Sequence, residues 1–175
     1  MAEEQVSGAE EISRLLAERA AQLARRELDD DKAAVLPHVA FQAAGQPFAV
    51  PLRYVVHASR LRHLTPIPGG PPYLLGICAL AGHLVSVLDV AAFLGLRQRG
   101  LSDVACCLVV SVQGRELGLC AEQLLGIEDI PAAKVAPFLS GSAAISQVAM
   151  MEKLQLLILD LPQLLSDARL TEEPS

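Results

Sequence analysis

A chain of 175 residues that is 52% apolar can bury a sizeable core, but with 3% aromatics and no tryptophan that core must come from Leu, Val, Ile and Ala. Its formal charge of −6 is unevenly spread: residues 37–100 carry five arginines against Asp89, for +4, and residues 101–170 carry eight acids against four bases, for −4. Neither half offers the broad basic face with interleaved aromatics that reads nucleic acid, and the four histidines (His38, His57, His63, His83) lack metal-ligand spacing.

At the amino end, Ser7-Gly8-Ala9-Glu10 has the form of a capping box, and Ile12, Leu15, Leu16, Ala20, Leu23 and Leu28 follow on one helical stripe. The predicted helix ends at Asp29-Asp30-Asp31, where acids oppose the partial negative charge of a helix carboxyl end. Such a stripe packs on the body of the same molecule, or it detaches to dock on a partner or to self-associate.

Strands are predicted over residues 39–43 and 48–52, flanking a Gly45-Gln46-Pro47 turn. Residues 64–72 hold four prolines and read as a rigid extended loop. Residues 73–96 imitate a membrane span, but Gly76, Gly82-His83, Ser86 and Asp89 interrupt them, which predicts two strands (74–78 and 84–88), a turn and a short helix over 91–96. The protein is therefore expected to be soluble and cytoplasmic, with no membrane insertion. Further strands are predicted over 105–112, 116–121, 126–130, 148–151 and 154–159, with a mobile Pro-, Ala- and Ser-rich stretch at 131–146 and a helix over 162–165. Short strands at this spacing suggest small barrels.

The second half repeats the first. Gly45-Gln46-Pro47-Phe48-Ala49-Val50 matches Gly114-Arg115-Glu116-Leu117-Gly118-Leu119, and Leu84-Val85-Ser86-Val87-Leu88-Asp89-Val90 matches Gln155-Leu156-Leu157-Ile158-Leu159-Asp160-Leu161. Two such halves, each too small to bury much alone, should pack together and leave a groove between them.

Paired Asp89 and Asp160 suggest the carboxylate pair of an aspartic protease, which would require flexible glycine-rich turns that neither has. Each stands instead just ahead of a short apolar helix, the place of an amino-terminal cap. Cys78, Cys106, Cys107 and Cys120 show no Cys-x-x-Cys spacing and no neighbouring histidine, so buried thiols in a reducing compartment are expected. His57, Arg60, Arg62 and His63 form a cationic stretch, either a solvated rim or a landing site for an acidic partner segment. Gly69-Gly70 and Gly82 lack a phosphate-loop pattern and read as turn glycines. No catalytic residue, cofactor or metal is expected. A hydrolase using the aspartates or a Cys/His pair is the rival of another class, tested by Asp89→Asn.

Phe48-Ala49-Val50-Pro51-Leu52, Val55-Val56, Thr65-Pro66-Ile67-Pro68, Pro72-Tyr73-Leu74-Leu75-Gly76-Ile77, Leu80, Gly82 and Val87-Leu88-Asp89-Val90 form a run whose spacing needs no gaps. With it the chain resembles the CheW-like adaptor family of bacterial chemosensory systems, over residues 36–168 and more loosely in the second copy. The resemblance implies a mostly β fold: two intertwined, five-stranded SH3-like barrels, roughly 36–100 and 101–168, in one domain over 35–170. The helix at 1–34 is then an extension and 171–175 a disordered tail. It also implies a non-enzymatic scaffold of two-component signal transduction, binding the regulatory domain of a CheA-type histidine kinase and the cytoplasmic tip of a chemoreceptor. The partner-binding residues expected are Val55, Val56, His57, Arg60, Arg62, Ile77, Leu80, Ala81 and Leu84. The chain departs from the family pattern at Ala79-Leu80-Ala81-Gly82, where Asn-Leu-Arg-Gly is common, at Ser86 for a proline, and at His57 for an acid. Apolar contact thereby replaces ion pairing in the coupling region, which leaves pilus motility or surface sensing as the alternative output.

Overall fold

The computed structural model describes residues 34–80, 82–96, 106–139 and 141–171. The chain parts into two compact units, one of residues 36–130 and 134–175, the other of 1–35 and 131–133. In the smaller unit, the Ala132 N–H donates to the Ala34 carbonyl at 2.9 Å. The amphipathic helix expected near the amino terminus lies outside the described residues, as does the tail beyond Thr171.

The architecture is mostly β, in two sheets. One sheet is six-stranded, in the order β8-β1-β2-β11-β10-β9, from β1 (Val35–Ala43), β2 (Gln46–Pro51), β8 (Gln123–Pro131), β9 (Val135–Pro137), β10 (Ile145–Met150) and β11 (Gln155–Leu159). The other is five-stranded, in the order β3-β6-β7-β5-β4, from β3 (Val55–Arg60), β4 (Leu74–Leu80), β5 (His83–Leu88), β6 (Cys106–Val112) and β7 (Arg115–Ala121). Neither sheet is confined to one half of the sequence. The first hairpin, β1–β2, joins the strands of the second half, and the hairpin β6–β7 joins those of the first.

The sequence repeat is a repeat of hydrogen-bond register. His38 faces Pro51 and Phe41 faces Phe48 in β1–β2, while Cys107 faces Cys120 and Val110 faces Leu117 in β6–β7, an offset of 69. Leu74 faces Leu88 with a bulge before Gly76, and Ile145 faces Leu159 with a bulge before Gln147, an offset of 71. Even the parallel contacts that splice the sheets correspond, with Ile158 beside Ala49 and Val87 beside Gly118.

Alternation along these strands fills three cores. Residues such as Phe41, Phe48, Val50, Leu88, Leu108, Val110, Leu119 and Leu159 form a cluster shared by both sheets and the short helices. Their neighbours point the other way, into a separate interior for each sheet. Leu75, Cys78, Val85, Val87, Cys107, Val109 and Cys120 fill one, and Ala40, Ala49, Ile130, Ala149, Leu156 and Ile158 the other. Strands buried on both faces need near-continuous apolar sequence, which explains the high apolar content without wide aromatics.

The span-like residues 73–96 resolve into β4, β5 and the helix α1 (Val90–Phe93). Among the described residues no helix is long and apolar enough to cross a membrane. After β11 come α2 (Leu161–Ser166) and α3 (Ala168–Thr171). The stretch 131–146 is more ordered than its composition predicts: a 3-10 turn at Ala132–Lys134 leads into β9, whose Val135, Ala136 and Pro137 pair with β10. β9 thereby makes a sixth strand where five are expected.

Candidate functional site

Asp89 and Asp160 occupy one role twice. Asp89 Oδ1 accepts from the Ala92 N–H and Asp160 Oδ1 from the Gln163 N–H, both at 3.1 Å, which satisfies an otherwise unpaired amide at the start of α1 and of α2. Each carboxylate is thus engaged at its own helix. Burial pushes the Cys107 thiol up to about 12, with Cys78 and Cys120 beside it adding to the effect, and burial raises Cys78 as well. A thiolate nucleophile is disfavoured there. Among the described residues, no group of three or more His, Cys, Asp or Glu could hold a metal ion.

Of the residues named from sequence as partner-binding, those described lie on β3, β4 and β5 of the five-stranded sheet, with Arg62 just beyond β3. β3 is an end strand, entered from Pro51 through a 3-10 turn at Leu52–Tyr54. Its pairing with β6 is bulged between Val55 and His57. A bulge inserts one unpaired residue, and here that residue is Val56, left 56% exposed while Val55 packs against the shared core. Sequence periodicity misses β3 as a strand for this reason: the bulge breaks the alternation, and among the described residues the outer edge has no partner strand to demand one.

On the opposite end strand, β4, Ile77 is half-buried and bonded in both directions to Thr65 at 2.8 Å, and Leu80 is half-buried against the interior of its sheet. Leu84, at the start of β5, is 79% exposed, whereas its neighbour Val85 belongs to the core. The two ends of the sheet meet in a cleft lined by His57, Ser59, Arg60, Arg62, His63, Ala79 and Leu80. The fold therefore brings His57, Arg60, Arg62 and Leu80 together. Val56 and Leu84 lie outside that lining, and Ala81 lies outside the described residues.

A second hollow shares Arg60 and Arg62 and adds Cys106, Glu122, Gln123 and Leu124. Glu122 is turned to a structural task, its two carboxylate oxygens accepting the N–H groups of Ala44 at 2.8 Å and Gly45 at 3.1 Å. A larger groove of about 1110 Å³ runs past the end of α1, the β10–β11 hairpin and α3, lined among others by Phe93, Leu96, Phe138, Ile145, Leu154 and Arg169. Arg169 closes one side of it. Its guanidinium stands 3.8 Å from the Phe93 ring centroid, donates to the Phe93 carbonyl and pairs with Asp167 at 2.9 Å, which holds the Asp167 carboxyl below its usual range. Sequence reasoning expected a groove between the halves but named none of these lining residues, because the walls come from segments more than a hundred residues apart and carry no motif.

The family model described as CheW-like domain matches residues 37–169. Protein FrzA of Myxococcus xanthus is 31% identical over 106 residues, 59% of this chain and 66% of that protein. The chemotaxis protein CheW of Rhizobium meliloti is 28% identical over 89 residues, 51% of this chain and 57% of that protein. The matches thus span under two-thirds of the length of these relatives. The crystal structure of the scaffolding protein TtCheW from Thermoanaerobacter tengcongensis superposes with a TM-score of 0.65 at 21% identity, covering 73% of this chain and 90% of that one, which shows a shared fold.

Proposed function

This chain belongs to the CheW-like domain family, and from that premise we propose that it is a non-enzymatic adaptor that couples a CheA-type histidine kinase to a chemoreceptor tip or a related sensor. In this reading each sheet, wrapped around its own interior, is an SH3-like barrel, and the kinase's homologous regulatory domain docks on the five-stranded one. The observation that carries the reading is the family match over both copies, joined to two large apolar side chains left in water on the five-stranded sheet, Val56 and Leu84. Isolated exposed apolar residues are ordinary, but a large one on a bulge and another on a hairpin cost nothing to desolvate and suit a partner. Leu80 packs against the interior of its sheet, and Val55 serves the core. Mechanism here is geometric: an adaptor that holds kinase and sensor at fixed spacing makes the conformation of one depend on the other.

The test is capture of the kinase's regulatory domain by the immobilised chain. Val56→Asp and Leu84→Asp, both at exposed positions, should each weaken capture about tenfold or more while leaving the melting temperature within about 2 °C of the parent. Two folded variants that bind like the parent would remove this surface from the account. A parent chain that captures no such kinase would end the adaptor reading. The sensor that co-purifies from cells decides between receptor coupling and an output such as pilus motility or surface sensing.

A further inference from the structure

Strands β3 and β8 hold the same place in the two copies, each ending its sheet, yet they carry opposite charge. Glu128 and Asp129 stand on β8, whereas β3 and the residues after it carry His57, Arg60, Arg62 and His63. No carboxylate occurs anywhere from residue 34 to residue 88. All four of these side chains are exposed, and all four line the single cleft that also holds Ala79 and Leu80. Among the described residues none of the four side chains has a hydrogen bond or ion pair, and Glu122, the acid across from Arg60 and Arg62, is bound to the turn at Ala44 and Gly45. Positive charge concentrated in one cleft with no ion pair to hold it is electrostatically unsatisfied, and an anionic partner relieves it.

The backbone beside it narrows the class of that partner. The outer edge of β3 presents N–H and C=O groups with no pairing strand among the described residues, a template that a polypeptide in extended conformation can complete. Nucleic acid has no use for such an edge, and the cleft has no Phe, Tyr or Trp in its lining to serve as a stacking platform. A chain of net charge −6 is also repelled by an anionic lipid surface. Arg60 ends β3 and Arg62 follows two residues on, a separation of up to roughly 7 Å along the backbone, which suits a segment that carries more than one carboxylate. We propose that the cationic cleft at the edge of β3 docks an extended, carboxylate-rich segment of the partner protein. This deepens the adaptor reading and rests on it, since it names the chemistry by which the partner is chosen.

The full chain is titrated, by fluorescence anisotropy, into a labelled twelve-residue peptide of alternating Glu and Thr, and into its Lys–Thr twin. At about 50 mM NaCl the Glu peptide should bind at least about tenfold tighter, with the advantage shrinking at about 250 mM as the charges are screened. Arg60→Glu combined with Arg62→Glu should abolish the preference, and Arg60→Lys with Arg62→Lys should retain most of it, with melting curves confirming the fold of each. Equal binding of the two peptides, or a preference that survives charge reversal, overturns the proposal. So does tighter binding to phosphatidylserine vesicles or single-stranded DNA, or occupation of the cleft by Glu128 and Asp129 of a second copy, seen as dimers that dissociate on Arg60→Glu. The two readings fail separately. Kinase capture that ignores both charge variants sinks only the acidic docking site, while a cleft that selects the Glu peptide in a chain that captures no kinase sinks only the adaptor.

Discussion

The two copies within this chain share a backbone plan and little else. Register, bulges and splice points correspond at fixed offsets, and so do the backbone bonds that seat the caps: Asp89 N–H to the Tyr73 carbonyl and Asp160 N–H to the Ala144 carbonyl. What differs is chemistry at equivalent places. Gly76 stands where the second copy has Gln147, His38 where it has Cys107, and the basic β3 where it has the acidic β8. Apolar alternation and turn placement are enough to preserve a fold through duplication, because they determine which face of each strand is buried. Surface charge is unconstrained by that requirement and can diverge to suit different contacts.

The sharpest way to break the correspondence is at the β4 bulge. Gly76 has φ of +150°, and a Cβ there would meet the Thr65 carbonyl oxygen at 2.2 Å. The Thr65–Ile77 bridge must therefore open in Gly76→Ala, which should cost about 3 kcal/mol, or roughly 6–12 °C in melting temperature. Gln147→Ala, at the exposed counterpart, should change stability by less than about 0.5 kcal/mol. Equal effects in thermal melts would show that the two bulges are not separately constrained.

The caps come next. Asp89 is 2% exposed and Asp160 is half-buried, so the same lost amide bond is felt in different surroundings. Urea unfolding should give a loss of about 2 kcal/mol for Asp89→Ala and about 1 kcal/mol for Asp160→Ala. A reversed order would mean that burial does not set the worth of the cap.

The smallest effect is a pH dependence found in one copy only. Burial pushes His38 below its usual range, against a smaller opposing contribution from its 2.8 Å contact with the Leu36 carbonyl, and Arg53 adds to the lowering. A depressed folded-state value means that the unfolded chain binds the proton more readily. Stability is then full above the unfolded pKa of 6.5 and is lost as pH falls towards the folded value. Between about pH 7 and about pH 5 the parent should lose up to about 3 °C more in melting temperature than His38→Gln. Cys107, its counterpart, is pushed up to about 12 and does not titrate in that window.

Legibility in the sequence followed the strength of local rules. The Gly45-Gln46-Pro47 turn lies in a hairpin, and residues 84–88 form most of β5, because turn residues and unbroken apolar runs act over a few positions. Strand β3 was hidden by its bulge, and β9 by the prolines and alanines around it. Four prolines in residues 64–72 remove donors and limit that segment to one bridge with β4, whereas β9 pairs over three residues. Of the residues expected at a docking surface, exposure separates Val56 and Leu84 from the half-buried Ile77 and Leu80, a distinction that periodicity alone could not make.

Taken by itself, the order of amino acids determined that there would be two like halves of short strands, built on aliphatic cores, with a capping aspartate before each small helix. Those features depend on neighbours a few positions apart, which composition and spacing record directly. Tertiary structure alone decided that the hairpins change places between sheets, and that His57, Arg60 and Arg62 would share a cleft with Leu80 while Glu122 turned away to hold a distant turn. These outcomes depend on which buried faces meet, a choice made by packing over the whole molecule and written in no single segment.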